Sequence, residues 1–158
     1  MKKPESLRAH LVAAVPNLAR DPERLLVFID QGKVRCTAAP GLSFEYEYTL
    51  NVILTDFAGS PDALMVPLLA WLRVHQPELL LNLDKSREGI QFEADILDKH
   101  KVDLSLTLPL SERVIVKMQE GDLHIEHADE PPMTDELFEA ESWQMYGDGE
   151  PLASWGNP

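Results

Sequence analysis

Leu42–Asp56 has the sequence LSFEYEYTLNVILTD, and its pattern decides the fold. Apolar side chains alternate with largely polar ones at a period of two, which is the period of a β-strand. The apolar set is Phe44, Tyr46, Tyr48, Leu50, Val52 and Leu54, and the other set is Ser43, Glu45, Glu47, Thr49, Asn51 and Ile53. The stretch predicts one long strand with an apolar face and a polar face, and its alternating residues 43–54 span about 40 Å at roughly 3.3 Å per residue.

Upstream of this strand, the sequence predicts a helix and a hairpin. From Pro4 onward the apolar residues share one helical stripe, which Pro16 must kink or end because its ring removes a backbone donor. Two short apolar runs then follow, LLVFI at 25–29 and VRCTA at 34–38, separated by a four-residue link. They predict a β-hairpin in which Gly32 supplies the positive φ of the turn.

Downstream, the pattern predicts a second helix and a run of strands. Ser60 and Pro61 mark the start of the helix as N-cap and first helical residue, and Pro77 marks its end. The strands predicted after it are Ile90–Leu97, Val102–Leu110, Val114–Met118 and Leu123–His127, with a tight turn at 120–122. This order predicts an α+β fold in which a mixed, mostly antiparallel sheet has two helices packed on one face.

Charge divides the chain near residue 128. The chain has 27 acidic and 14 basic side chains and a formal net charge of −13. Eight of the carboxylates, and no lysine or arginine, lie in residues 129–158. We therefore expect a globular domain at 1–128 and a flexible acidic C-terminal arm that contains aromatic residues at 129–158. A weak helix at Thr134–Tyr146 would place Leu137, Phe138, Glu141 and Met145 along one face.

The arm has two interpretations, and the sequence leaves both open. Its composition is typical of a solvated, mobile tail. Alternatively, it is a segment that orders on a partner, because aromatic side chains dominate protein interfaces. The aromatic residues available for that purpose are Phe138, Trp143, Tyr146 and Trp155.

Composition narrows the classes of function. The acidic balance argues against broad nucleic-acid binding, which works by neutralising phosphates. No apolar run approaches the roughly 20 residues that a transmembrane helix needs. The single cysteine, Cys36, excludes a disulfide within the chain. We expect a soluble protein that docks on protein surfaces.

Two pairs of acids invite a catalytic interpretation. Glu45 with Glu47, and Glu93 with Asp95, are two residues apart on predicted strands, so each pair spans about 6.6–7 Å on one face. That separation overlaps the range of some glycosidases, but a solvated sheet face produces the same pattern. Because nothing nearby indicates an environment that shifts a pKa, a row of acids meeting a basic partner is the favoured interpretation.

No other chemistry is predicted. His124 and His127 point to opposite faces of a strand, and His124 with Glu126 supplies fewer ligands than a zinc site takes. The sequence has no nucleophile elbow and no phosphate-binding glycine loop. We therefore expect no catalytic residue, no metal and no cofactor. The candidate residues belong to a protein interface: Glu45, Glu47, Glu93, Asp95, Phe138, Trp143, Tyr146 and Trp155.

Five blocks of sequence carry a resemblance to a known family. They are KKPESLRAHLVAAVPNLARDPERLLVFIDQGKV, LSFEYEYTLNVILTDF, LMVPLLAWLRVHQPELL, FEADIL and SERVIVKMQEGDLHI, in that order. Together they resemble the tail completion protein R family of P2-like contractile-tailed phages. The blocks cover nearly all of residues 1–127, and the role of the arm is left open.

The resemblance implies a structural tail-assembly protein of a phage or prophage, without catalytic activity. Proteins of this type are similar in role to tail terminators, which form a ring on the finished tail tube, stop its growth and prepare it for head attachment. The implied partners are further copies of the chain, with a hexamer expected, tail tube or sheath proteins, and head-completion or connector proteins. No membrane and no specific nucleic acid is implied. The implied location is the host cytoplasm during assembly, then the head-proximal end of the virion tail.

Two other classes of function remain. One is an assembly chaperone or binding module that escorts a tail component and is absent from the virion. The other is an enzyme that uses Glu45 with Glu47, or Glu93 with Asp95, on cell-wall glycan. The lack of a catalytic motif makes the enzyme the weaker of the two.

Overall fold

The computed structural model describes residues 1–36, 41–82, 84, 89–98, 101–131 and 142–156. Its elements in chain order are α1 (Lys3–Ala14), α2 (Pro16–Arg20), a 3-10 turn (Pro22–Arg24), β1 (Leu25–Cys36), β2 (Phe44–Phe57), α3 (Asp62–His75), α4 (Pro77–Leu81), β3 (Gln91–Ile96), β4 (Val102–Gln119), β5 (Asp122–His127), β6 (Ser142–Gly147) and β7 (Glu150–Gly156). The predicted α+β class is confirmed.

The main sheet has the strand order β1-β2-β4-β3, and β5 pairs with the far end of β4. Every described pair is antiparallel. The long strand predicted from period-two alternation is confirmed as β2, which lies between β1 and β4. Its inward residues include Leu50 and Leu54, which are fully buried, whereas Glu45 and Asn51 on the other face are partly exposed.

Strand β1 shows that the predicted hairpin is wrong. Residues 25–36 form one strand, and both halves pair with β2. The link that was expected to reverse the chain is a bulge between Asp30 and Lys33. The positive φ, 52°, lies at Gln31 rather than at Gly32. Because β2 is 14 residues long, it has room for both halves of β1, and the chain continues past the bulge in the same direction.

Strand β4 corrects a second expectation. The two strands predicted on either side of residues 111–113 are a single strand of 18 residues. The inward alternation runs through the polar stretch, because Glu112 is buried on the same face as Leu110 and Val114. A buried glutamate on the core face is therefore the reason that the sequence pattern looked interrupted.

The two predicted helices correspond to α1 and α3, and α2 and α4 are additional five-residue helices. Pro16 and Pro77 each begin one of these short helices, since proline is tolerated at a first helical position. Before α3, the Ser60 hydroxyl accepts a hydrogen bond from the backbone N–H of Asp62 at 3.2 Å, but the N-cap position is occupied by Pro61, one residue later than predicted. Helix α3 also brings Trp71 fully into the core. No helix in the described ranges is long and apolar enough to cross a membrane.

The described part of the arm is a β-hairpin, β6–β7, whose second strand contacts α1 and α3. Ala153 is buried there, and Leu152 and Trp155 pack against the core cluster. The predicted helix is therefore wrong for residues 142–146, which are extended. Its remaining residues, with the candidate Phe138, lie outside the described residues. The boundary near residue 128 stays a prediction.

Candidate functional site

The first acidic pair, Glu45 and Glu47, lies on the outer face of β2, next to an arginine of β1. Arg35 Nη2 is 2.6 Å from Glu45 Oε2 and 3.1 Å from Glu47 Oε1. The hydrogen bond to Glu45 and the charges of both carboxylates raise the pKa of Arg35. The charge of this pair is therefore partly neutralised within its own chain. Its attraction to a basic partner is weaker than the sequence predicted.

The second acidic pair, Glu93 and Asp95, lies on β3 at one edge of the sheet. Both side chains are exposed, opposite Ser105 and Asp103 of β4. The first pair faces β4 eight residues further along, since Glu45 is opposite Arg113. At about 3.4 Å per residue, that separates the two pairs by roughly 27 Å. The structure does not bring them together.

The aromatic candidates of the arm divide between two environments. Trp143 and Trp155 are direct cross-strand partners in the β6–β7 hairpin, and both line a groove beside His10 of α1. The Trp155 indole N–H is buried and has no hydrogen-bond partner among the described residues. Tyr146 is 60% exposed, and its hydroxyl donates to Gln144 Oε1 at 2.8 Å. Trp155 therefore packs within the chain, and Tyr146 is accessible.

Sequence reasoning missed a buried carboxylate, that of Glu112, which is only 4% exposed. It accepts hydrogen bonds from the Tyr48 hydroxyl at 2.6 Å and from the backbone N–H groups of Lys2 at 2.8 Å and Lys3 at 3.3 Å. His127 Nδ1 lies 3.0 Å away and must donate, because a carboxylate only accepts. Glu112 thus joins the start of α1, β2, β4 and the end of β5.

The hydrogen bonds decide the charge state of this carboxylate. Burial raises the pKa of Glu112, but the bonds from Tyr48, Lys2 and Lys3 lower it by more, so the pKa lies below its ordinary value. Burial, followed by the bond to the Glu112 carboxylate, raises the pKa of the Tyr48 hydroxyl. The site therefore holds an anion beside a neutral phenol, at the N-terminus of α1 where the helix dipole favours negative charge.

A buried lysine completes this cluster. Lys3 Nζ donates to Gln76 Oε1 at 2.8 Å, to the Ser111 carbonyl at 2.7 Å and to Glu130 Oε1 at 2.9 Å. Burial lowers the pKa of Lys3, and the bond to Glu130 opposes that shift. The backbone N–H of Ser111 donates to Gln76 Oε1 at 3.2 Å.

These side chains replace a missing strand neighbour. Away from β2, strand β4 pairs with β3 over residues 102–107 and with β5 over 114–119. Between these stretches, Lys3 and Gln76 satisfy the backbone of Ser111. A sequence signal existed for Lys3, because it lies four residues before Leu7 on the apolar stripe of α1. The cluster is largely buried and stabilises the chain, and Tyr48, Gln76 and Ser111 also line an open cleft beside Glu47.

The sheet also exposes apolar side chains beyond the helices. Phe92 and Ile96 on β3 are 63% and 83% exposed, and Met118 and Ile125 on the β4–β5 hairpin are 70% and 68% exposed. They form two separate patches, because β3 pairs with β4 at residues 102–107 and β5 pairs with it at residues 114–119. Exposed apolar residues grouped on a sheet are typical of an interaction surface. Among the described residues, no group of three His, Cys, Asp or Glu side chains is placed to hold a metal ion.

Comparison with known proteins shows the family of this chain. The family described as P2 phage tail completion protein R (GpR) matches residues 1–131. Tail completion protein R of Escherichia phage P2 is 41% identical over 155 residues, which is 98% of this chain and 99% of that protein. The alignment therefore takes in most of the arm. No solved structure matches the chain. The chain belongs to the P2 phage tail completion protein R family.

Proposed function

We propose that six copies of this protein close a ring on the head-proximal end of the phage tail tube, where the ring stops tube growth and prepares the tail for head attachment. A structural role in phage tail completion comes with the family, as does contact with other tail components assembled in the host cytoplasm. The ring, its copy number and its end of the tail are the proposal.

The observation that carries the proposal is the open main sheet. Within the described ranges, β1 pairs only with β2, and β3 only with β4. Open strand edges bind further strands through backbone hydrogen bonds. Because the two edges belong to different strands, a contact between them is heterologous, and such contacts close into a ring when the rotation between copies fits.

A second surface suits contact with the tube or the sheath. The projecting part of β4 and β5 carries apolar side chains on one face, where Met118 lies opposite Leu123 and Val116 opposite Ile125. Three of these four residues are more than half exposed. In our proposal this hairpin face docks on a tube or sheath subunit, and a connector binds the other side of the ring.

Charge supports a ring through which DNA passes. The chain has a net charge of −13, so a ring of six copies would be strongly negative. Like charge discourages DNA from adhering to the wall of a channel. The same charge is unsuited to specific or broad nucleic-acid binding.

We propose that the protein acts without catalysis. Arg35 holds Glu45 and Glu47, the Glu93–Asp95 pair is exposed on an edge strand, and Glu112 is enclosed by four donors. A catalytic carboxylate needs access to substrate together with a neighbouring acid or base. Arg35 occupies the first pair and Glu112 is inaccessible. The Glu93–Asp95 pair is accessible, and in our proposal it lies on an edge strand that forms a contact between proteins.

The solution mass of the full-length protein and its retention in virions test the proposal together. We expect the free protein to have a mass near six times 17.8 kDa or, if the ring assembles only on the tube, six copies to bind each added tail tube. Quantitative mass spectrometry should find six copies per purified virion. A protein that is monomeric on tubes, or absent from purified virions, contradicts the ring. Absence from virions combined with normal tail assembly would instead identify the escort protein.

A further inference from the structure

The two outer edges of the main sheet carry matched patterns of opposite charge. In β1 the segment Gln31–Cys36 is exposed at every residue, and so is the whole of β3, Gln91–Ile96. The first contains Lys33-Val34-Arg35 and the second contains Glu93-Ala94-Asp95. Each segment is six residues long, with two like charges separated by one apolar residue, and the sign differs between the segments.

These charges lie on the same face of the sheet. Lys33 is opposite Glu47 and Arg35 is opposite Glu45, so both point to the outer face of β2. Glu93 reaches that face as well, because it is opposite Ser105, which is in turn opposite Ile53. The apolar residues occupy the other face.

We propose that Gly32–Cys36 of one copy pairs antiparallel with Phe92–Ile96 of the next copy. The inference rests on the proposed function, because it names the contact through which the ring closes. In the sheet, β1 is connected to β3 through three antiparallel pairings: β1 with β2, β2 with β4, and β4 with β3. The two strands therefore run in opposite directions within a chain. Copies placed side by side therefore present antiparallel edges to each other.

The register follows from the charges and the faces. With Val34 opposite Ala94, Lys33 is opposite Asp95 and Arg35 is opposite Glu93, and all four charged groups stay on one face. On the other face, the 64% exposed Val34 meets the strand that carries Phe92 and Ile96, which are 63% and 83% exposed. Pairing covers apolar surface and joins opposite charges in the same step.

An alternative role for the charges on these edge strands is protection from aggregation. Protection works when facing edges repel or are blocked. Here the two edge segments carry opposite signs at the same spacing. Arg35 also pairs with Glu45 and Glu47 of its own chain, so Lys33 contributes most of the attraction to the acidic edge of the next copy. The pattern therefore favours a head-to-tail contact over pairing of two identical edges.

The register also fixes an offset between copies. Ala94 lies in the same row of the sheet as Leu25, which is nine residues before Val34 in β1. Successive copies are then displaced along the strands by roughly 30 Å. Such a stagger closes into a ring only when the strands tilt from the ring axis, as they do in barrels; otherwise it continues as an open filament.

A disulfide reports this register directly. Cys36 is the only cysteine, and it would lie opposite Phe92 of the neighbouring copy. In one chain these positions are at opposite edges of the sheet, too far apart for a disulfide. We expect full-length Phe92→Cys to form, under mild oxidation, a ladder of cross-linked species that closes at six chains.

Ile96→Cys is the matched control. It is on the same strand and the same face, but four residues away, about 13 Å along the strand from the proposed partner of Cys36. We expect its cross-linking yield to be at least tenfold lower. Phe92→Cys combined with Cys36→Ser should give no cross-link at all. Equal yields from Phe92→Cys and Ile96→Cys would overturn the pairing.

Charge exchange tests the attraction in the Phe92→Cys background. Lys33→Glu alone, and Glu93→Lys with Asp95→Lys, should each reduce cross-linking, the double change about tenfold, and Lys33→Glu with Asp95→Lys should recover it. Arg35 is kept, because it also pairs with Glu45 and Glu47 of its own chain. Glu120→Lys with Asp122→Lys, at the distant β4–β5 turn, makes the same change in charge as Glu93→Lys with Asp95→Lys and should leave the yield unchanged. Failure of Lys33→Glu with Asp95→Lys to recover would overturn the charge pairing.

The outcomes separate this inference from the ring. A six-subunit solution mass without the Cys36 cross-link overturns the strand pairing and leaves the ring in place. A cross-linked ladder that continues past six chains as filaments supports the pairing and overturns the closed ring. A ladder that ends at six chains supports both.

Discussion

The Tyr48 hydroxyl donates a 2.6 Å hydrogen bond to the Glu112 carboxylate, diagonally across the pairing of β2 with β4. Both residues are on the core face, and both are more than nine-tenths buried. The backbone of Lys2 and Lys3 donates to the same carboxylate, which fixes the start of α1 on the sheet. One buried anion therefore holds a helix terminus, two strands and, through His127, the end of β5.

Replacement of Glu112 by glutamine keeps the size of the side chain and removes its charge. The amide still accepts on its oxygen, but its NH₂ group turns a donor toward other donors. We expect Glu112→Gln to lower the free energy of unfolding by about 1–3 kcal/mol, measured by urea denaturation.

Glu126→Gln is the control for this change, because Glu126 lies on the exposed face of β5 and pairs with Lys117 at 2.9 Å. An exposed ion pair contributes little to stability, so we expect Glu126→Gln to unfold at nearly the same urea concentration as the wild type. Equal losses from the two variants would contradict the role given to Glu112.

Stability should fall in acid because of the same carboxylate. The folded chain lowers the pKa of Glu112 below 4.5, so the unfolded chain binds a proton first as the pH falls. The contribution of Glu112 is therefore complete above about pH 4.5 and is lost as the pH falls through the lower folded pKa. Between pH 6 and pH 3, roughly the range of that titration, the unfolding free energy of Glu112→Gln should fall less steeply than that of the wild type. Parallel curves would show that Glu112 is not a linked group.

Tyr48→Phe removes one donor from Glu112 and leaves the ring in the core. We expect a loss of about 1 kcal/mol at neutral pH. Burial and Glu112 raise the pKa of Tyr48 above 10.0, so its contribution is present below pH 10 and is lost at higher pH. The stability of Tyr48→Phe should therefore fall less than that of the wild type between pH 9 and pH 11, roughly the range where an unfolded tyrosine titrates. A variant that loses stability as steeply as the wild type would contradict this coupling.

The sequence predicted β2 because twelve residues of alternation, 43–54, leave one consistent strand register. It failed at Glu112 because a lone acid on an apolar face resembles a break in the pattern. Its hydrogen-bond donors come from the backbone of Lys2 and from Tyr48, 64 residues distant in sequence. Partners of that kind are set by tertiary packing, which local periodicity does not report.

The bulge in β1 shows a related limit. A glycine after a polar pair is typical of a turn, and Gly32 supported a hairpin on local grounds. The partner strand decided otherwise, because β2 is long enough to pair with both sides of the bulge. Among the candidate interface residues, the acids of β2 and β3 lie on the faces that the alternation predicted. The β6–β7 hairpin could not be predicted, because the sequence of the arm has no hydrophobic periodicity.

Trp155 should contribute to the stability of the folded chain, since β7 contacts α1 and α3. We expect Trp155→Ala to lower the unfolding free energy by about 2–4 kcal/mol, by loss of buried apolar surface and creation of a cavity. Trp155→Phe should cost less than the loss expected from its size, because it also removes a buried indole N–H that lacks a partner among the described residues.

Tyr146→Ala is the matched aromatic control on the same hairpin. Its ring is largely exposed, so we expect a change within about 0.5 kcal/mol. If Trp155→Ala is as mild as Tyr146→Ala in thermal and urea denaturation, the hairpin does not pack on the helices in solution.

Electron microscopy of tails assembled with and without this protein tests the central claim most directly. We predict that tails made with it have a uniform length and a closed ring of six subunits at the head-proximal end. Tails made without it should lack this ring, vary in length and fail to join heads. Tails of normal length without the protein, or a terminal structure that contains none of it, would contradict the account.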